Sequence, residues 1–136
     1  MRYISSYISI LCILFLTNCG GTKNKYPTSI AYGGKWILQD AAEVYANDKK
    51  VYISFDPRTS SFRGFAGCNK IRGNYLINDK EIDLFEIITT RKSCKEMKTE
   101  NTFISLLKRA NKIKINPLNL ELYKGDILLI RFKRER

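Results

Sequence analysis

The stretch from Ser61 to Tyr75, SFRGFAGCNKIRGNY, packs three glycines (Gly64, Gly67, Gly73), a cysteine followed by a side-chain amide (Cys68, Asn69) and aromatic residues near both ends into one short span. Glycine inside a strand pattern marks a bulge, a tight bend or a close backbone approach. The stretch therefore predicts two short strands joined through a constrained corner. A cysteine held at such a corner is placed to be tied to another part of the chain.

Outward from this corner, short strands dominate. Gly34-Lys35-Trp36-Ile37-Leu38 predicts a strand carrying the only tryptophan. Val51, Ile53 and Phe55 alternate with Tyr52 and Ser54, a half-buried strand stopped at Asp56-Pro57. Beyond the corner come Leu76 to Asn78, an Asn78-Asp79-Lys80 turn, Ile82 and Leu84, and Ile87 to Thr90. Ile113 and Ile115, then Leu118, Leu120 and Leu122, alternate again, and Lys124-Gly125-Asp126 turns the chain into Ile127 to Phe132. Many short strands separated by turn signals predict a mainly β fold, an antiparallel sandwich or barrel.

One helix interrupts them, over about residues 94–111. Ser93-x-x-Glu96 is a capping-box pattern, and Phe103, Leu107 and Ala110, with Ile104 and Leu106 beside them, make an apolar stripe at helical spacing. Glu100 points to the same side. It is either a first-turn acid favoured by the helix dipole or a partly buried carboxylate bonded to Arg91 or Asn69.

The chain has 136 residues, room for one domain and one modest core, and its 44% hydrophobic and 27% charged residues are ordinary for a globular protein. Twenty-four basic against 13 acidic residues give a net charge of +11, which attracts anionic surfaces without choosing among lipid, polysaccharide and nucleic acid. There is no histidine, which excludes His-based triads, two-histidine zinc motifs and 2-His-1-carboxylate iron sites. Neither a phosphate-binding G-x-x-x-x-G-K-[ST] loop nor a G-x-S-x-G elbow is present.

The N-terminal segment, MRYISSYISILCILFLTNC, carries one positive charge, Arg2, and an apolar run from Ile8 to Leu16 that is short for a bilayer span. This predicts a secretory signal peptide over residues 1–18. Leu16-Thr17-Asn18-Cys19 resembles a bacterial lipobox, with Asn18 departing from the usual small residue. Cys19 is the expected lipidated first residue of the mature chain, and acyl chains at about 0.8 kcal/mol per buried CH₂ make a firm membrane anchor. Residues 19–33, polar and Gly-rich, read as the lipidated cysteine and its tether, and residues 34–136 as the folded domain. Gly20-Gly21 holds no aspartate retention signal, so the expected address is the outer membrane, facing the periplasm.

With Cys19 lipidated and Cys12 removed, Cys68 and Cys94 remain, an even pair in an oxidising compartment. A structural disulfide pinning the Gly-rich corner to the start of the helix is the favoured reading. Two unbridged thiols or a redox pair are the alternatives, and two cysteines without histidine leave a zinc site incomplete.

Taken in order, GKWIL, the GFAGCN corner, GNY, TTRKSC and the E-N-x-F-I-x-x-L helix resemble the META domain family, the HslJ-like bacterial lipoproteins, over about residues 34–132. The resemblance implies a small antiparallel lipocalin-like β-barrel with one packed helix. By position, Gly67, Cys68 and Asn69 match the family's GCN corner, Thr90, Arg91 and Cys94 its Thr-Arg…Cys segment, and Glu100 its helix acid. It also implies a protein without established enzymatic activity, acting as a heat-shock, envelope-stress or antibiotic-tolerance accessory factor. Arg63-Gly64-Phe65-Ala66 matches the start of an RNA-binding pattern, but Gly67 stands where the next stacking aromatic belongs.

These readings predict a monomeric, lipid-anchored binding protein with no cofactor, metal or nucleic acid. Its partners would be the membrane through Cys19 and an anionic lipid, polysaccharide or envelope protein. Two alternatives stand beside it. One is a lipocalin-type carrier of a small apolar ligand, which needs an enclosed pocket; the other is a cysteine-based oxidoreductase or hydrolase built on Cys68, Asn69, Arg91 and Glu100.

Overall fold

The computed structural model describes residues 33–42 and 51–136. The expected signal peptide, Cys19 and all of the tether before Gly33 lie outside the described residues. Eight antiparallel strands follow one another around a closed barrel: β1 (Gly34–Ala41), β2 (Tyr52–Asp56), β3 (Ser61–Phe65), β4 (Lys70–Asn78), β5 (Glu81–Thr89), β6 (Lys112–Ile115), β7 (Asn119–Lys124) and β8 (Ile127–Arg134). Helix α1 (Lys98–Arg109) interrupts the meander between β5 and β6. The mainly β barrel with one helix, expected from the alternation and the family resemblance, is what forms.

Alternation explains the closure. Trp36, Ile53, Phe55, Phe62, Ile71, Tyr75, Leu84, Leu120, Leu122 and Phe132 point inward and are buried, while their neighbours along each strand face out. The first strand meets the last through Trp36↔Arg134, Leu38↔Phe132 and Ala41↔Ile130, which leaves no free edge there. The one thin seam is β5 against β6, paired only through Glu81↔Lys112. Helix α1 packs against β5, and its buried Phe103, Leu106 and Leu107 join the core. The Phe103 ring meets Phe132 edge to face, centroids 6.1 Å apart.

Two glycines allow the β2–β3–β4 region to close tightly. A Cβ at Gly64 would lie 2.2 Å from the Tyr52 carbonyl oxygen, and one at Gly73 would lie 2.7 Å from the Phe62 ring. Each is a close approach of the kind that only glycine permits.

Three local expectations are corrected. The pieces Ile82–Leu84 and Ile87–Thr89 belong to a single strand, β5, which ends one residue short of Thr90 and is bent at Glu86, whose φ is 52° and where the pairing with β4 slips between Arg72 and Asn74. Leu118 is not in β7; it is exposed in a turn where the Asn116 side chain accepts the N–H groups of Leu118 and Asn119. The helix spans 98–109, not 94–111, and Ser93 does not cap it. Glu96 instead accepts the N–H of Lys98 at 2.7 Å, and Lys92 and Cys94 are held outside the helix by bonds to the corner.

Candidate functional site

The Gly-rich corner between β3 and β4 is braced from two sides. Gly67 adopts φ +112°, a left-handed conformation that suits glycine and turns the chain so that Cys68 and Asn69 are both buried. The Cys68 and Cys94 sulfurs are bonded, with α-carbons 6.2 Å apart. The bond therefore fastens the corner to the segment ahead of α1, four residues short of the helix itself.

Beside the disulfide, Asn69 bonds through its backbone and both side-chain atoms. Its backbone N–H donates to Glu100 Oε2 at 2.6 Å and its Nδ2 to Glu100 Oε1 at 2.9 Å and the Lys92 carbonyl at 3.1 Å. Its Oδ1 accepts the Thr90 hydroxyl and the Lys92 N–H, each at 2.7 Å. Of the two readings of Glu100, the buried carboxyl bonded to Asn69 is the one observed, and it is also a first-turn acid. Arg91 is exposed and stands apart from this cluster. Thus Gly67, Cys68, Asn69, Thr90, Cys94 and Glu100 converge, and Arg91 does not. Among the described residues no buried side-chain nitrogen or oxygen is left without a partner. A cluster so fully bonded is built to hold a corner rigid.

The inside of the barrel offers little either. Trp36, Ile53, Leu120, Leu122, Ile130 and Phe132 are fully buried within it, together with Phe103 from the helix. Among the described residues no group of three or more Cys, Asp or Glu side chains is placed to hold a metal. No described helix is long and apolar enough to cross a membrane.

The outer surface is different. Pairing along the sheet lines up Lys35, Ser54, Arg63, Arg72 and Ile88 as directly opposed neighbours running from β1 to β5. This row lies between two open concavities of about 1050 and 760 Å³ that share Ser54, Arg63, Arg72 and Ile88 in their walls. The smaller adds Lys70, Tyr52 and Thr90 and has no acid in its lining. The sequence pattern marks Arg63 only through a partial RNA-binding match and gives no signal at Lys70 or Arg72, because it is the strand register that sets Arg63 opposite Arg72.

A closed, filled β-barrel with one helix and a braced corner defines a small lipocalin-like protein. A family model described as META domain matches residues 28–136, and the chain belongs to that family. No curated protein matches the chain. Among solved structures, a protein from Burkholderia xenovorans studied by NMR is similar at 17% identity, with a TM-score of 0.62 over 78% of this chain and 84% of that one. A crystal structure of a DUF4847 family protein from Bacteroides vulgatus is similar at 16% identity and TM-score 0.58, covering 78% of this chain and 95% of that one. At such identities the likeness concerns the fold alone.

Proposed function

We propose that this chain is a lipid-anchored, monomeric protein of the bacterial cell envelope that has no catalytic activity of its own and works by binding on the outside of its barrel. The observation that carries this reading is the contrast between a filled interior and a cation-lined outer face. A carrier of apolar ligands needs the space that Trp36, Leu120 and Phe132 occupy. A hydrolase on Cys68 needs a free thiolate, which the bond to Cys94 removes, and a redox pair needs sulfur that a substrate thiol can reach, whereas the Cys68 sulfur is on a buried residue.

Anchoring rests on the Leu16–Cys19 lipobox, and the outer-membrane, periplasm-facing address on the Gly20-Gly21 pair after it. An accessory part in heat-shock, envelope-stress or antibiotic tolerance follows the family, with the rigid corner keeping the binding face in shape. The test is the intact mass of the chain extracted from bacterial membranes. The expected species begins at Cys19, bears a diacylglyceryl group and an N-acyl chain, and has no free thiol at Cys68 or Cys94. A chain retaining residues 1–18, or one recovered without acyl groups, overturns the anchor.

A further inference from the structure

We infer that the outer face of β1–β5 is a docking surface for the phosphate-bearing headgroups of anionic lipid in the membrane that holds the chain, with Arg63 and Arg72 as its phosphate ligands. This rests on the anchored reading above and names the partner of that surface.

Arg63 and Arg72 stand directly opposite each other on β3 and β4. Like charges in that relation destabilise a sheet, so the pair calls for an anion to sit between them. Among the described residues neither arginine has an acid within ion-pair distance. The two acids of the larger concavity bond within its own wall, Asp56 accepting the Arg58 N–H at 3.0 Å and Glu86 accepting Asn74 Nδ2 at 2.6 Å, so the acid-free smaller concavity is the side that takes an anion. Lys70 flanks the pair in the smaller concavity, and the Ser54 hydroxyl lies opposite Arg63. Two guanidinium forks, an ammonium and a hydroxyl make a donor set suited to phosphate oxygens.

Two further features select a membrane over a soluble anion. The next outward row along the sheet is Ile37, Tyr52 and Phe65, half-buried and adjacent to the cations. Exposed Ile88 closes the cationic row. Apolar and aromatic side chains beside a basic band are what a surface resting in a headgroup layer presents. In addition, Gly33 lines the larger concavity, so the chain arriving from Cys19 enters at this face. Residues 20–33 span at most roughly 50 Å, which keeps the face next to the anchoring membrane, where tethering raises the effective headgroup concentration to about the millimolar range.

The experiment uses the full lipidated chain reconstituted into vesicles of phosphatidylcholine, with or without phosphatidylglycerol. Flotation reads the anchor, and the rate of arginine modification by phenylglyoxal, resolved by peptide mass, reads the face. Arg109, exposed in the last turn of α1, is the internal reference. The expected result is that phosphatidylglycerol slows modification of Arg63 and Arg72 by about five-fold or more relative to Arg109, an effect lost in high salt. A chain that floats but whose Arg63 and Arg72 react alike in both compositions overturns the docking face and leaves the anchor intact. A chain that does not float with either vesicle contradicts the anchor and the docking face with it. Equal protection by millimolar inorganic phosphate, or protection by soluble polyglutamate with none from the vesicles, assigns the arginines to a free anion or an acidic protein and overturns the lipid surface.

Discussion

The carboxyl of Glu100 receives two donors from one residue, the backbone N–H of Asn69 at 2.6 Å and its side-chain amide at 2.9 Å. This pair ties the first turn of α1 to the β3–β4 corner, beside the sulfur bond that ties the same corner to Cys94. Two braces of different chemistry thus hold one bend.

Glu100→Gln keeps the shape but turns one acceptor into a donor facing donors. It should cost roughly 1–3 kcal/mol, and Asn69→Ala, which strands several groups at once, roughly 2–4 kcal/mol. Urea unfolding of both variants checks this. A Gln variant as stable as the parent would show that Glu100 acts only as a first-turn acid.

Replacing Cys68 and Cys94 together by Ala opens a loop with a sequence separation of 26. The chain-entropy relation gives a loss of about 3.5 kcal/mol, with the barrel retained because the Asn69 bonds remain. Circular dichroism during thermal unfolding should report a lower midpoint and an unchanged β spectrum at low temperature.

Glycines separate by role. Alanine at Gly64 would place its Cβ 2.2 Å from a backbone oxygen, whereas at Gly125, φ +59°, the added methyl meets open space. Gly64→Ala should cost about 3 kcal/mol or more, and Gly125→Ala only about 1 kcal/mol for the left-handed backbone. Equal losses in chemical denaturation would contradict the close approach of β2 and β3.

Much of this architecture was legible because one face of each strand is buried, so Val51, Ile53 and Phe55 alternate with Tyr52 and Ser54. The glycines at 64, 67 and 73 announced the corner for the same local reason. What stayed hidden depends on distant partners. Ser93 carries a helix-cap pattern in its own sequence, but Asn69 and Cys68, 23 and 26 residues away from their partners, bond the neighbouring Lys92 and Cys94 outside the helix. The bend in β5 falls on Glu86, a residue type that carries no turn signal. The opposition of Arg63 and Arg72 is a matter of register, which alternation leaves open.

Acid should weaken the surface pairing around Glu121. The Glu121 carboxyl, bonded by the Tyr123 hydroxyl at 2.6 Å and Arg131 Nε at 2.8 Å, is held below its ordinary 4.5 by these partners, the Tyr123 bond first. A lowered folded value means the stabilisation is present above about pH 4.5 and is lost as pH falls through the lower folded value. Glu121→Gln should therefore flatten the decline of the urea midpoint between neutral pH and pH 3. A decline as steep as the parent's would place the acid sensitivity elsewhere.

If the opposed arginines are kept for binding, they cost the fold something. Arg72→Thr, which removes the repulsion and suits a strand, should raise stability by about 0.2–1 kcal/mol in neutral detergent. A loss of that size would show that Arg72 stabilises the sheet.

The filled interior is the central claim, and Trp36 watches it: it is the only tryptophan, fully buried, with the Arg134 guanidinium 4.2 Å from its ring. Titrating the full chain with a brominated fatty acid reads directly whether anything apolar enters beside that ring. No saturable quenching of Trp36 fluorescence is the result predicted here. Saturable, stoichiometric quenching would place a ligand inside the barrel and contradict binding on its outer face.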